Sequence, residues 1–157
     1  MNRAAISFLT FFVISLIFTG CNSSGGSSKG TTAPVTITFP GGKTCTSGNE
    51  NISFEAWVET EQGSGYPMLN VKICITCSGT GLSGITGITG QLEDDVQGIP
   101  PTLNGVQTFT ATNQNGCTTK RFRRVPSALA GKKFRVTVVD SSGGKLKDDT
   151  VEIEDRL

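Results

Sequence analysis

The chain has 157 residues, with 14 Lys and Arg against 13 Asp and Glu, so bulk charge gives no basis for a nucleic-acid partner. It has no histidine, which excludes Ser-His-Asp and Cys-His catalysis and His-rich metal sites, because histidine is the usual base near neutral pH and the commonest metal ligand. A small His-independent hydrolase built on a carboxylate pair or Ser-Lys survives as a remote alternative. Neither arrangement has a recognisable motif, so no catalytic residue, resident metal or cofactor is assigned and the chain is read as not an enzyme.

The N-terminus carries Arg3, an apolar run from Ala4 to Phe18 relieved only by Ser7, Thr10 and Ser15, and then Thr19-Gly20-Cys21. Basic, apolar and small segments in this order predict an export signal over 1–20. The run is short of the roughly 20 apolar residues that a permanent span needs. Phe18-Thr19-Gly20-Cys21 resembles a lipobox, the bacterial lipoprotein signal whose thiol accepts a diacylglyceryl group; Gly20 and Cys21 match it, and Phe18 stands where an aliphatic residue is usual. The resemblance implies lipidation at Cys21 and a membrane anchor of acyl chains worth about 0.8 kcal/mol per buried CH₂. Asn22 is not the Asp of an inner-membrane retention signal, so the outer membrane or cell surface is the expected location. A plain signal peptide with an incidental cysteine is the alternative. Residues 21–33 are the lipidated Cys and a linker of Ser, Gly and Thr, whose eleven residues from Asn22 to Thr32 reach about 17–20 Å as a flexible tether.

Residues 34–157 have the size of one domain with one core. With Cys21 set aside, Cys45, Cys74, Cys77 and Cys117 remain, an even number that reads as two disulfides in an exported protein, with three possible connectivities. Cys74-Ile75-Thr76-Cys77 has CxxC spacing, but Ser78 follows where haem attachment needs histidine. A zinc site needs a second close pair and a redox site a helix after the strand; both stand as alternatives to structural disulfides.

Period-two alternation bounded by Gly, Asn, Ser and Pro predicts an all-β domain. Pro34 to Phe39 puts Val35, Ile37 and Phe39 on one face. Ile52 to Thr60 turns Ile52, Phe54, Ala56 and Val58 inward, and Asn70 to Cys77 does the same with Val71, Ile73 and Ile75. Cys74 and Cys77 then point to opposite faces, so they should not pair with each other and each should take Cys45 or Cys117. The stretch from Gly79 to Gly105 is either a binding loop or a weak Gly-rich strand with a flexible flank. Val106 to Thr112 reads as a strand, Asn113-Gln114-Asn115-Gly116 as a hairpin turn, and Thr118 to Val125 as the returning strand. Lys132 to Val139 follows, then a turn at Ser141-Ser142-Gly143-Gly144 and a last strand near Thr150 to Glu154. About seven such strands suggest a two-sheet sandwich.

Phe54 to Thr60 with Asn70 to Thr76, then Thr108 to Gly116, then Ala130 to Val138 resemble, in order, three segments of the bacterial immunoglobulin-like (Big-1) domains of invasin- and intimin-type adhesins. The resemblance implies an immunoglobulin-like sandwich and a role in binding or adhesion. The four cysteines are not part of the family pattern, and such domains usually stand in arrays, so a stalk role transfers poorly.

Several residues are candidates for binding. Trp57 shares a strand face with Glu55 and Glu59 rather than with the apolar set, so it either stacks on a ligand or covers the core edge beneath Tyr66-Pro67. Lys120, Arg121, Arg123 and Arg124 surround Phe122, a cluster suited to phosphates, acidic glycans or an acidic protein, or to guarding an edge strand. Glu93, Asp94 and Asp95 offer oxygen ligands for calcium but lack the loop spacing, and a solvated acidic turn is the plainer reading. The expected function is a lipid-anchored module that binds an envelope or extracellular protein or glycan without catalysis. A structural or accessory subunit of an envelope assembly is the alternative.

Overall fold

β-branched and aromatic residues at alternate positions form strands wherever turn residues bracket them in this chain. The computed structural model describes residues 33–157; the export signal, Cys21 and the linker up to Thr32 lie outside the described residues. The strands are β1 (Thr36–Thr38), β2 (Thr44–Thr46), β3 (Glu50–Thr60), β4 (Pro67–Cys77), β5 (Thr80–Gly81), β6 (Ile88–Leu92), β7 (Gln107–Thr108), β8 (Cys117–Arg123), β9 (Lys133–Val139) and β10 (Lys145–Arg156). Two short 3-10 turns, Pro101–Leu103 and Ser127–Leu129, are the only helical pieces among the described residues.

The class is all-β, as expected, but the two faces of the core belong to one hydrogen-bonded sheet. β1 and β2 pair with each other, and the other strands follow the order β5-β4-β3-β10-β9-β6-β7, with β8 also on β4. The continuity comes from β10. Its residues up to Glu152 pair antiparallel with β9, while Ile153 to Arg156 pair parallel with Ala56 to Glu59 of β3. The sheet therefore curls into a half-barrel, with β8, β4 and β3 on one face of the core and β9, β6 and β7 on the other. Phe122 of β8 and Phe134 of β9 meet across it with ring centroids 6.3 Å apart. Val58, Leu69, Val71, Ile73 and Ile75 from the first face and Ile88, Val136 and Val138 from the second are fully buried around them. On the side away from β10 the edges of β8 and β7 share no ladder. Side chains bridge them: the hydroxyls of Thr110 and Thr118 lie 3.0 Å apart, and Lys120 Nζ donates to Thr108 O at 2.9 Å.

Three expectations change, and one open alternative is decided. Val35 is 68% exposed rather than inward. Between Gly79 and Gly105 the Gly-rich strand alternative holds: the chain forms β5 and β6, and Ile85, Val96 and Leu103 of that stretch are buried. β6 escapes easy reading because Gly90 interrupts its apolar alternation, and the interruption is required: a Cβ there would lie 2.6 Å from the Phe134 ring. The Asn113–Gly116 turn does form, with Asn113 N–H donating to Cys117 O at 2.8 Å and Asn113 Oδ1 accepting from the Asn115 and Cys117 N–H groups. It does not continue into a hairpin ladder. Phe109 and Thr112 donate their N–H groups to Ile88 O and Ile85 O, β8 pairs with β4, and both Phe109 and Phe122 reach the core between the two faces. Finally, β10 begins at Lys145, ahead of the expected Thr150, because its polar first half is held by the ladder to β9 rather than by apolar alternation.

The disulfides join Cys45 to Cys77 and Cys74 to Cys117. The first fixes the β1–β2 pair to the end of β4; the second links residues directly opposite each other on β4 and β8. Sequence separations of 32 and 43 correspond to about 4 kcal/mol each in the chain-entropy model. Peptide mapping without reduction should recover these two linkages, and a Cys74–Cys77 peptide would contradict the fold. Phe134→Ala, which empties the centre of the core, should lower unfolding free energy by about 3–5 kcal/mol in urea titration.

Candidate functional site

Strand parity decides which side chains leave the core, and on β3, β4 and β8 the outward set forms rows across the sheet. Glu154, Trp57, Asn70 and Arg121 stand in register in one row, and Arg156, Glu59, Met68 and Arg123 in the next. Trp57, Arg121 and Arg123 are thereby brought onto one face, with Asn70 between the Trp57 and Arg121 strands. Asn70 is only 1% exposed although it points outward, because the long side chains around it cover it. Its Nδ2 donates to Glu59 Oε1 at 2.9 Å, which satisfies the amide and fixes the carboxylate.

Other residues are placed differently from expectation. Trp57 is half-buried on the Glu55/Glu59 face, as parity requires, but its cover is the Arg156 guanidinium, 4.6 Å from the ring centroid. Tyr66 is 52% exposed and lies beneath Arg124 at 5.3 Å instead. Lys120 leaves the cluster: it points to the core side of β8, 5.7 Å over the buried Phe122 ring, and bonds to Thr108 O. Such an inward lysine on an outer strand is a known guard against edge pairing. Glu93, Asp94 and Asp95 do not converge on a common point. Glu93 lies 3.5 Å from Arg135, and Asp94 accepts the Lys133 N–H at 2.6 Å. Among the described residues no group of three or more Cys, Asp or Glu is placed to hold a metal ion.

Where β3 and β4 meet their connecting turn, the outward face deepens into an open groove of about 470 Å³ lined by Glu59, Glu61, Gln62, Met68, Arg121 and Arg123. Arg123 Nε pairs with Glu61 at 2.8 Å. Arg121 takes no carboxylate among the described residues, so its guanidinium keeps its donors for a ligand. Sequence reasoning missed Asn70, Met68, Glu59 and Arg156 as parts of this site. Glu59 and Met68 carry the right parity on their own strands, whereas nothing local to Arg156 signals that a parallel ladder sets it beside Trp57.

The groove and the chain's entry into the domain occupy opposite ends. Val35 O accepts the Ser47 N–H, so the first described residues lie beside the start of β3, while the groove lies at its finish. At about 3.4 Å per residue, β3 separates them by roughly 34 Å.

A second polar cluster sits on the other face. Asp148 accepts from Arg135 Nε and Nη2 at 2.8 and 2.9 Å, from Thr137 Oγ1 at 3.0 Å and from Lys145 Nζ at 2.6 Å. The bond from Arg135, then those from Lys145 and Thr137, hold its carboxyl far below the usual range, and Asp148 in turn raises Arg135. With every member satisfied, this cluster ties β9 to β10 and leaves little for a ligand.

No family model, no curated protein and no solved structure matches the chain.

Asp148 has a folded pKa below its unfolded one, so its contribution is complete above the ordinary value of 3.8 and is lost as pH falls through the folded value. Asp148→Asn should therefore lower Tm at pH 7, and the difference from the parent should narrow as melting is followed below pH 3.8.

Proposed function

We propose that this chain is a lipid-anchored extracytoplasmic module, immunoglobulin-like in build, that binds an envelope or extracellular partner without catalysis. Its binding surface is the outward face of β3, β4 and β8. The observation that carries the reading is the groove around Arg121: an open depression whose guanidinium has no carboxylate partner among the described residues, in one row with Trp57 across Asn70 and at the end of the domain opposite the chain's entry. Aromatic and arginine side chains are the usual anchors of binding energy at interfaces. A tether at the entry end would leave that groove unobstructed by the point of attachment.

The anchor rests on the sequence order of Arg3, the apolar run and Gly20-Cys21, and on the Ser/Gly-rich residues that follow. Acyl chains on Cys21 and the flexible linker would hold the domain near a bilayer without fixing its orientation. The alternative, an accessory subunit of an envelope assembly, draws on the open edge of β8, through which a second protein would be joined.

Cells expressing the full chain and fed an alkyne fatty acid should label it, and Cys21→Ser should abolish the label; persistence of label in that variant would remove the anchor from Cys21. On the same cells, a photo-crosslinking residue at Gln62 in the groove should yield a discrete heavier adduct, and one at Ser142 in the β9–β10 turn should not. Equal adducts at both positions would count against the groove.

A further inference from the structure

The geometry points to the open edge of β8 as a docking strand for an extended, acidic segment of a partner protein. This deepens the second reading above, in which another protein joins through this edge and on which it rests, by naming the class of partner.

The argument starts from which backbone groups are free. Ile75 N–H donates to Gly116 O, while the N–H and C=O of Cys117 bond to Asn113. Cys74 and Cys117 are therefore a non-hydrogen-bonded pair of the β4–β8 ladder, and the alternation of an antiparallel pair gives Thr118, Lys120 and Phe122 the ladder bonds to β4. Thr119, Arg121 and Arg123 turn their N–H and C=O groups away from β4, and these groups have no protein partner among the described residues. Near Thr118 the edge is crossed by Thr110. From Thr119 onward its outward backbone groups are unpartnered, the one crossing contact being the Lys120 side chain, which reaches Thr108 O on the core side, and all three residues are exposed. A row of unpaired, correctly spaced backbone donors and acceptors is a template for one further strand.

Charge decides what that strand can be. A second copy of β8 laid antiparallel over this stretch would set Arg121 against Arg121 or Arg123 of the other copy, which is unfavourable for directly opposed residues. A strand with a carboxylate at every second position would instead place acids beside Arg121 and Arg123, on the groove side of the sheet. Among the described residues Arg121 has no carboxylate of its own to give up, and Arg123 shares only Glu61. The same charges that exclude self-pairing thus select an acidic guest.

The end of the edge is defined as well. Arg124 has a φ of 56°, and the next residue, Val125, donates its N–H to Pro67 O at 3.1 Å. Two residues of this chain therefore oppose one of β4, a bulge of the kind that begins with a left-handed residue. Beyond it the alternation that frees every second amide no longer holds.

The test uses the full chain in detergent and a biotinylated octapeptide of alternating Thr and Glu, with an alternating Thr and Lys peptide and polygalacturonate as controls. The Thr-Glu peptide should bind and slow amide exchange at Thr119, Arg121 and Arg123. Arg121→Ala should weaken it at least tenfold. Thr119→Pro should do the same with Tm close to the parent, because proline there deletes an outward N–H and no ladder bond. If Thr119→Pro proves misfolded by circular dichroism, exchange protection at the three amides of the parent chain decides the matter. Three results would overturn the proposal: no binding of the Thr-Glu peptide, binding without protection of those amides, or equal binding of polygalacturonate that ignores Thr119→Pro, the last marking a charge site for acidic glycans. None of these would alter the fatty-acid labelling or the Gln62 crosslink, so the broader binding reading stands or falls separately.

Discussion

Strand β10 belongs to both faces of the molecule, and the rest of the architecture depends on that double membership. Up to Glu152 its partners are residues of β9, and from Ile153 they are residues of β3. The faces of the core therefore cannot part on that side without breaking the strand they share. Hydrophobic burial supplies the driving force, but it is non-directional; the change of partner along β10 sets where each face stands. It also delivers Arg156 to Trp57 and so completes the outward surface from a segment nearly a hundred residues away in sequence.

The opposite side of the core is held differently. β8 and β7 share no ladder, and hydroxyls and one lysine span the gap. The covalent links compensate on the β8 face. Cys74–Cys117 binds β8 to β4 where the ladder begins, and Cys45–Cys77 closes the neighbouring end against the β1–β2 pair. The molecule thus has one side closed by a strand and one by side chains, and the unpaired backbone that makes the second side adaptable lies next to the groove.

Much of this was legible along the chain wherever parity carried the information. Ile52 to Thr60, Asn70 to Cys77 and Lys132 to Val139 announce both their strands and their inward faces, and the same parity correctly separates Cys74 from Cys77. Parity does not choose between Cys45 and Cys117, because that depends on which strand lies beside β4. β6 was obscured by Gly90, whose missing side chain makes room for Phe134, a residue far along the sequence. The polar first half of β10 was obscured because its order comes from a neighbour's ladder and from Asp148's bonds to Arg135 and Thr137. The basic cluster read as one patch was in fact divided by parity: Lys120 turns to the core side, while Arg121 and Arg123 face the groove.

The left-handed residue at Arg124 acts on β8 as a length gauge. Between Thr119 and Arg123 the edge offers about 14 Å of regular backbone, bounded at one end by Thr110 and at the other by the bulge. A strand laid there would have its beginning and its end set by this chain, which fixes its register. Only Thr119, Arg121 and Arg123 present outward groups on this stretch, so a guest laid there would gain few backbone bonds and its hold would depend as much on the side chains it sets beside the two arginines.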